Sequence, residues 1–494
     1  MAAYLPPSVD EVRNACKRAG YDLPEEEIQY QYQAGIGMID SLNILNDYEI
    51  SNSVEHRDIG EAPKPETNAH NQWAWRSNIQ RNNSGSLADK KVGVKDCITV
   101  AGIPMQAGFA GLVDYIPSYD SPCITALLNE GAIIVGKTNC ENASFSSFSH
   151  TSCNGDVMNP YNKKKTAGGS SSGSGVSVAL GDVDMAIGTD TGGSVRMPAS
   201  YCGLAGMKVT TGLIPTKGVT PIMTSLDTVG PLTRTVQENA LFLSVMAKSN
   251  KMLQPLLGAC DYSKDIGKGI KNLKIAILKE GFEFENSDPE INSIVKTCIK
   301  SLSDLGANFE EISIPEVKLG SFVLVVNVIQ ATYWLEDKYC PRGQQRLRYE
   351  IKKHFKDQNK LSHYAKSSTL LRYYLSDEEA DRIIERSQDI TEVLQTKFIE
   401  HLEHFDAICV PTIPGKVPDL PSKDLPLLEQ FPAMLPAGNN TAIANLTGHP
   451  ALTVNCGFTT EKMPVGIMFT GKYFDEKTLY RIGRSIEELQ SSQN

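Results

Sequence analysis

Histidine is scarce and scattered, with eight residues in a chain of 494, and none sits where it would suit a general base beside a nucleophile. Cysteine is present, at 11 residues, but not at metal-ligand spacing. Cys97, Cys123, Cys140, Cys153 and Cys202 lie too far apart for zinc patterns and read as small core or surface residues. No metal or cofactor is expected. No apolar run reaches the roughly 18 residues a spanning helix needs. Residues 1–10 lack a basic start followed by an apolar core, and residues 491–494 carry no short address. A cytoplasmic setting with free thiols is expected. Excess positive charge is also lacking: Lys and Arg total 48, Asp and Glu 58, for a net charge of −10. That gives no general electrostatic pull toward nucleic acid or anionic membrane. With 41% hydrophobic and 21% charged residues, a disordered chain, a collagen-like fibre and a disulfide scaffold are excluded.

What the chain has in quantity is glycine, 39 residues, many in one short tract. At roughly 150 residues per domain, its length suggests about three domains or one elaborated one. Residues 1–75 read as an N-terminal helical segment. Ile28, Tyr32, Ile36, Ile39 and Leu42 recur at helical spacing behind Glu25, Glu26 and Glu27. Residues 56–85 turn polar, with Pro63 and Pro65, and read as linker or extended surface. Across 76–265, apolar runs at 91–95, 132–135 and 183–187 read as buried strands separated by helices, which is α/β texture. Residues 266–404 read as a smaller, mostly helical insert. Strands are expected at 275–278 and 309–314. One helix is capped by Asp288-Pro289 and stopped by Gly306. Another opens on the capping box Ser376-Asp377-Glu378-Glu379 and carries Ile383, Ile384, Ile390, Val393, Leu394 and Phe398 on one face. Strand texture returns at 407–410, 451–454 and 465–469. Residues 76–265 and 405–494 therefore read as one large domain interrupted by the insert.

Three motif matches mislead. Gly131-Ala132-Ile133-Ile134-Val135-Gly136-Lys137-Thr138 fits the phosphate-loop expression, yet its middle residues want to be a buried strand, not exposed amides. Ser293-Ile294-Val295-Lys296 fits a β-lactamase start but lies mid-helix. Gly169-Ser170-Ser171-Ser172-Gly173 fits the nucleophile elbow, but Asn162-Lys163-Lys164-Lys165 before it is no buried strand.

The tract from Thr166 to Gly218 remains. A strand at 183–187 leads into Gly188-Thr189-Asp190-Thr191-Gly192-Gly193-Ser194-Val195-Arg196. Glycines after a strand let backbone amides converge on one point, as an oxyanion hole requires, and Ser194 at the end of that turn is placed to attack a carbonyl. A packed glycine turn with serines satisfying local amides fits the same residues equally well. Without a histidine, a lysine is the next base, and it must be buried to be neutral. Lys95 ends the apolar run Val92-Gly93-Val94. The plainer reading of such a lysine is a strand end reaching for water.

Gly168-Gly169-Ser170-Ser171-Ser172-Gly173-Ser174, Gly192-Gly193-Ser194-Val195-Arg196-Met197-Pro198-Ala199 and Cys202-Gly203-Leu204-Ala205-Gly206-Met207-Lys208 resemble the amidase signature family. So do Val94-Lys95-Asp96, Gly448-His449-Pro450-Ala451 and Met463-Pro464-Val465-Gly466. The whole-chain texture is most similar to bacterial amidases of nitrile degradation. The resemblance implies an α/β/α sandwich around a mixed sheet, with the N-terminal helical segment and the smaller insert attached. It implies a Ser-cisSer-Lys triad: Ser194 as nucleophile, Lys95 as base, and Ser170 as the bridging serine, with a cis peptide between Gly169 and Ser170. The oxyanion amides would come from Thr191, Gly192 and Gly193, with Ser194 as a further candidate, and only the backbone of Thr191 would matter. Asp190 and Arg196 would hold the loop. The implied activity is hydrolysis of a small carboxamide to acid and ammonia or amine. The alternatives are the glutaminase subunit of a tRNA-dependent amidotransferase and a non-catalytic member of the fold. The expected partner is a small-molecule amide, with no nucleic acid or membrane and with a homodimer allowed. Phe145 and Phe148 are candidates for the acyl pocket or for core.

Overall fold

The computed structural model describes residues 4–47, 57–112, 115–258, 261–331, 347, 358–430 and 439–491. His56, residues 1–3 and residues 492–494, which figure in the sequence reading, lie outside that set. By its contacts the chain divides into two units, Met1–Glu55 and His56–Asn494. In the first unit two helices, Val9–Arg18 and Glu25–Asp47, make a hairpin, in which Ile28 is buried while Leu42 is exposed.

In the second unit the apolar runs join one mixed sheet. Its strands in chain order are β1 (Asp58–Glu61), β2 (Trp73–Ile79), β3 (Lys91–Lys95), β4 (Ile133–Thr138), β5 (Met185–Asp190) and β6 (Ala205–Lys208). They continue with β7 (Thr228–Thr233), β8 (Lys274–Leu278), β9 (Asn308–Ile312), β10 (Ala407–Pro411), β11 (Ala451–Phe458) and β12 (Pro464–Gly471). The order across the sheet is β1-β2-β4-β3-β5-β7-β6-β11-β12-β10-β8-β9. Strand β6 pairs with β11, so residues before and after the expected insert share one sheet. The insert itself supplies β8 and β9, which extend that sheet from β10. With β1 and β2, part of the polar stretch after residue 56 belongs to the sheet as well. Contacts draw the unit boundary at Glu55, where composition had suggested 75.

The local signals act as their chemistry dictates. Asp288 caps the Pro289–Asp304 helix by accepting from the Glu290 and Ile291 amides. Both halves of the capping box at Ser376 and Glu379 are formed at the start of the Asp377–His404 helix. Of that helix's expected face, Leu394 and Phe398 are buried, whereas Ile383 and Val393 are exposed. The phosphate-loop look-alike is β4, with Val135 to Thr138 buried in the sheet. The described residues hold no helix long and apolar enough to cross a membrane.

What positions the site is one feature of the sheet. Strands β3 and β5 are parallel neighbours, so their C-terminal ends open on the same edge. Lys95 ends the first and Asp190 the second.

Candidate active site

Lys95 does not reach for water: its side chain is fully buried. Its Nζ lies 2.8 Å from Ser170 Oγ and 2.7 Å from Thr189 Oγ1. Ser170 enters from the glycine-serine tract just before the Ser172–Ala179 helix, and the Gly169–Ser170 peptide is cis. The Ser170 carbonyl accepts from the Glu141 amide at 3.2 Å. Its neighbour Ser171 donates its amide to the Ser194 carbonyl at 3.3 Å, which sets the two serine segments side by side. Ser171 Oγ also donates to the Thr189 carbonyl and accepts from the Thr189 amide, locking that turn to the end of β5. Ser194, at 8% exposed, is less buried than Lys95 and Ser170.

The loop from Asp190 to Arg196 is held from several sides. Asp190 and Arg196 form a fully buried ion pair at 2.9 Å. Burial opposes ionisation of Asp190, but the Arg196 charge and its hydrogen bonds outweigh this and hold the carboxyl down at about 2. The same carboxylate accepts from the amides of Gly193 at 2.8 Å and Val195 at 3.1 Å. From the Asn439–Thr447 helix, Asn445 Nδ2 donates to the Asp190 carbonyl and its Oδ1 accepts from Arg196. On the same helix, Thr441 Oγ1 donates to the Gly192 carbonyl at 2.7 Å. Gly193 has φ 128°, and a Cβ there would stand 2.2 Å from Thr441 Oγ1, so only glycine fits.

These bonds correct two expectations. The Gly193 amide is already given to Asp190, so Gly193 shapes the loop and does not donate to an oxyanion in this geometry. Among the described residues, no acceptor takes the Thr191, Gly192 or Ser194 amides. Nor is Thr191 used only through its backbone, because its hydroxyl donates to Asp227 at 2.6 Å.

Several functional neighbours escaped the sequence reading, namely Thr189, Glu141, Asp227, Thr441 and Asn445. Each meets the site through tertiary contact, and no spacing along the chain announces it. Glu141 is fully buried. Burial lifts its carboxyl to about 8, against the lowering effect of the Thr151 and Ser146 hydroxyls. Its Oε2 accepts from Thr151 Oγ1 at 2.7 Å, while Oε1 has no hydrogen-bond partner among the described residues. Another of the buried lysines, Lys208, is pushed down to about 7 by burial and by the charge of Arg196. Its Nζ is committed to the Val209 and His449 carbonyls and contacts no serine of the site. Phe148 packs with Met197, Tyr201 and Tyr364 in a small apolar cluster, and Phe145 lies partly buried against the main core. The described residues include no group of three metal-ligating side chains.

Comparison with known proteins gives the family. The profile of the Amidase family matches residues 64–480. The chain belongs to this family, that of the amidase-signature enzymes, and is an amide hydrolase. It is 33% identical over 422 residues to the A-type subunit of glutamyl-tRNA(Gln) amidotransferase from Staphylococcus saprophyticus, covering 82% of this chain and 84% of that protein. The crystal structure of the same protein from Thermotoga maritima superposes with a TM-score of 0.70 at 26% identity, over 85% of this chain and 88% of that one. 6-Aminohexanoate cyclic dimer hydrolase shares the fold, with a TM-score of 0.71 at 20% identity over 82% and 86% of the two chains.

Proposed function

We propose that this chain hydrolyses a small carboxamide, of the kind produced in nitrile degradation, to a carboxylic acid and ammonia or an amine. Ser194 Oγ attacks the amide carbonyl, and its proton passes through Ser170 Oγ to Lys95 Nζ. The amides of Thr191 and Gly192, joined by that of Ser194, receive the developing oxyanion. The C–N bond then breaks, the proton returns to the leaving nitrogen, and water releases the acid from the Ser194 ester. The observation that carries this reading is the buried contact between Lys95 Nζ and Ser170 Oγ, with Ser194 on the adjoining segment. A panel of aliphatic and aromatic carboxamides, run with wild type and Ser194→Ala, tests it. Turnover of at least one amide by wild type alone is expected, and equal turnover by both proteins contradicts it.

A second reading makes the chain the glutaminase subunit of a tRNA-dependent amidotransferase. The 33% identity to the staphylococcal amidotransferase protein favours it. The two separate on one result. Glutamine hydrolysis that appears only with a co-purifying partner supports the amidotransferase reading, and amide hydrolysis by the purified chain alone supports the free-standing enzyme.

A further inference from the structure

The loop that receives the oxyanion is tied down residue by residue. Asp190 is held by Arg196 and Asn445, and the Gly192 carbonyl by Thr441. Thr191 lies between them, and among the described residues no acceptor takes its amide or that of Gly192. The position of Thr191 follows from strand register: β5 and β7 are antiparallel with Asp190 opposite Thr228, so the next pair outward is Thr191 and Asp227. There the Thr191 hydroxyl donates to Asp227 Oδ1 at 2.6 Å. Asp227 is itself fixed, because its Oδ2 accepts from the Ile222 amide at 3.0 Å and the Met223 amide at 3.1 Å. The carboxyl is buried, and burial lifts it to about 6, against the lowering effect of the Thr191 hydroxyl and the Met223 and Ile222 amides. Such a group is expensive to bury unless its bonds are needed.

We propose that Asp227 is a positioning residue for the reaction: by gripping the Thr191 hydroxyl it fixes the peptides on either side of Thr191 and aims the Thr191 and Gly192 amides at the oxyanion. The proposal rests on the reading of Ser194 as nucleophile. A donor that is present but misaimed acts in the transition state more than in the bound substrate, so its loss falls on kcat and leaves KM. Removing an oxyanion donor outright costs about 100- to 1,000-fold, and misaiming one costs less, about 10-fold or more.

The test compares Thr191→Val, which keeps the shape and removes the hydroxyl, with Thr191→Ser, which keeps the hydroxyl. Asp227→Asn and the Thr191→Val/Asp227→Asn double variant complete a cycle. The expected result is a kcat reduced about 10-fold or more in Thr191→Val with KM within about twofold, near-wild-type kcat in Thr191→Ser, and a double variant no worse than the poorer single one. Wild-type kcat in Thr191→Val, equal losses in the Val and Ser variants, or additive losses in the double variant overturn it. If Asp227→Asn does not fold, the Val and Ser pair decides alone. Amide hydrogen exchange of the 189–195 peptide gives a readout without turnover. Faster exchange in Thr191→Val than in Thr191→Ser is expected, and identical exchange contradicts the proposal. Ser194→Ala, assayed in parallel, shows separately whether the nucleophile assignment itself has failed.

Discussion

At the residue scale, three side chains with unremarkable pairwise chemistry become reactive through placement in the proposed reaction. Lys95 is denied water and given two hydroxyls, Ser170 and Thr189. Ser194→Ala removes the bond-forming atom, and kcat should fall by about 1,000-fold or more with the fold intact. Ser170→Ala leaves nucleophile and base in place without their bridge and should fall less. Steady-state kinetics with circular dichroism checks both. Glu141 gives a pH prediction. Its carboxyl is lifted from 4.5 to about 8 by burial, so between those values the folded chain binds a proton that the unfolded chain has lost. Stability from this group is full below about 4.5 and drains away as pH rises toward 8. Glu141→Gln cannot ionise, so its Tm relative to wild type should rise steadily from pH 5 to pH 8. A Tm difference that stays flat across that range contradicts a neutral buried carboxyl. The residues proposed as the triad stood out through the ordered motifs around them. Thr189, Asp227 and Thr441 did not, since each is one common polar residue made important by a partner far along the chain.

At the scale of elements, caps and apolar runs were readable because their causes are local. Asp288 before Pro289 marked a helix start, and the structure shows the carboxylate receiving two first-turn amides. Asp288→Ala should lower stability by about 1 kcal/mol, read from urea denaturation. Substitution without loss would show that the cap is redundant. Strands β1 and β2 were missed for a physical reason. Trp73 and Ile79 are buried, but the residues between them are mostly polar and partly covered, so no apolar run appears. The phosphate-loop look-alike shows the converse: a motif match without its structural setting, resolved by the strand preference of Ile133, Ile134 and Val135.

At the scale of the whole molecule, one sheet brings together chain segments far apart in sequence. Strand β6 pairs with β11, and the Asn439–Thr447 helix reaches back to grip Asp190 and Gly192. The motifs that resemble the family lie in two separated stretches, residues 94–208 and 448–466, and this pairing draws the two together. That β8 and β9 of the insert extend the same sheet could not be read from composition, because strand pairing is non-local. The central claim is that Ser194 is the nucleophile. It is tested most directly by reacting the purified chain with a fluorophosphonate probe, which loses fluoride as a P–O bond forms, and mapping the adduct by peptide mass spectrometry. The account predicts one adduct, on Ser194, absent in Ser194→Ala and formed at least about 100-fold more slowly in Lys95→Ala. An adduct on Ser170 or Ser171 instead, or undiminished labelling of Ser194→Ala, would contradict it.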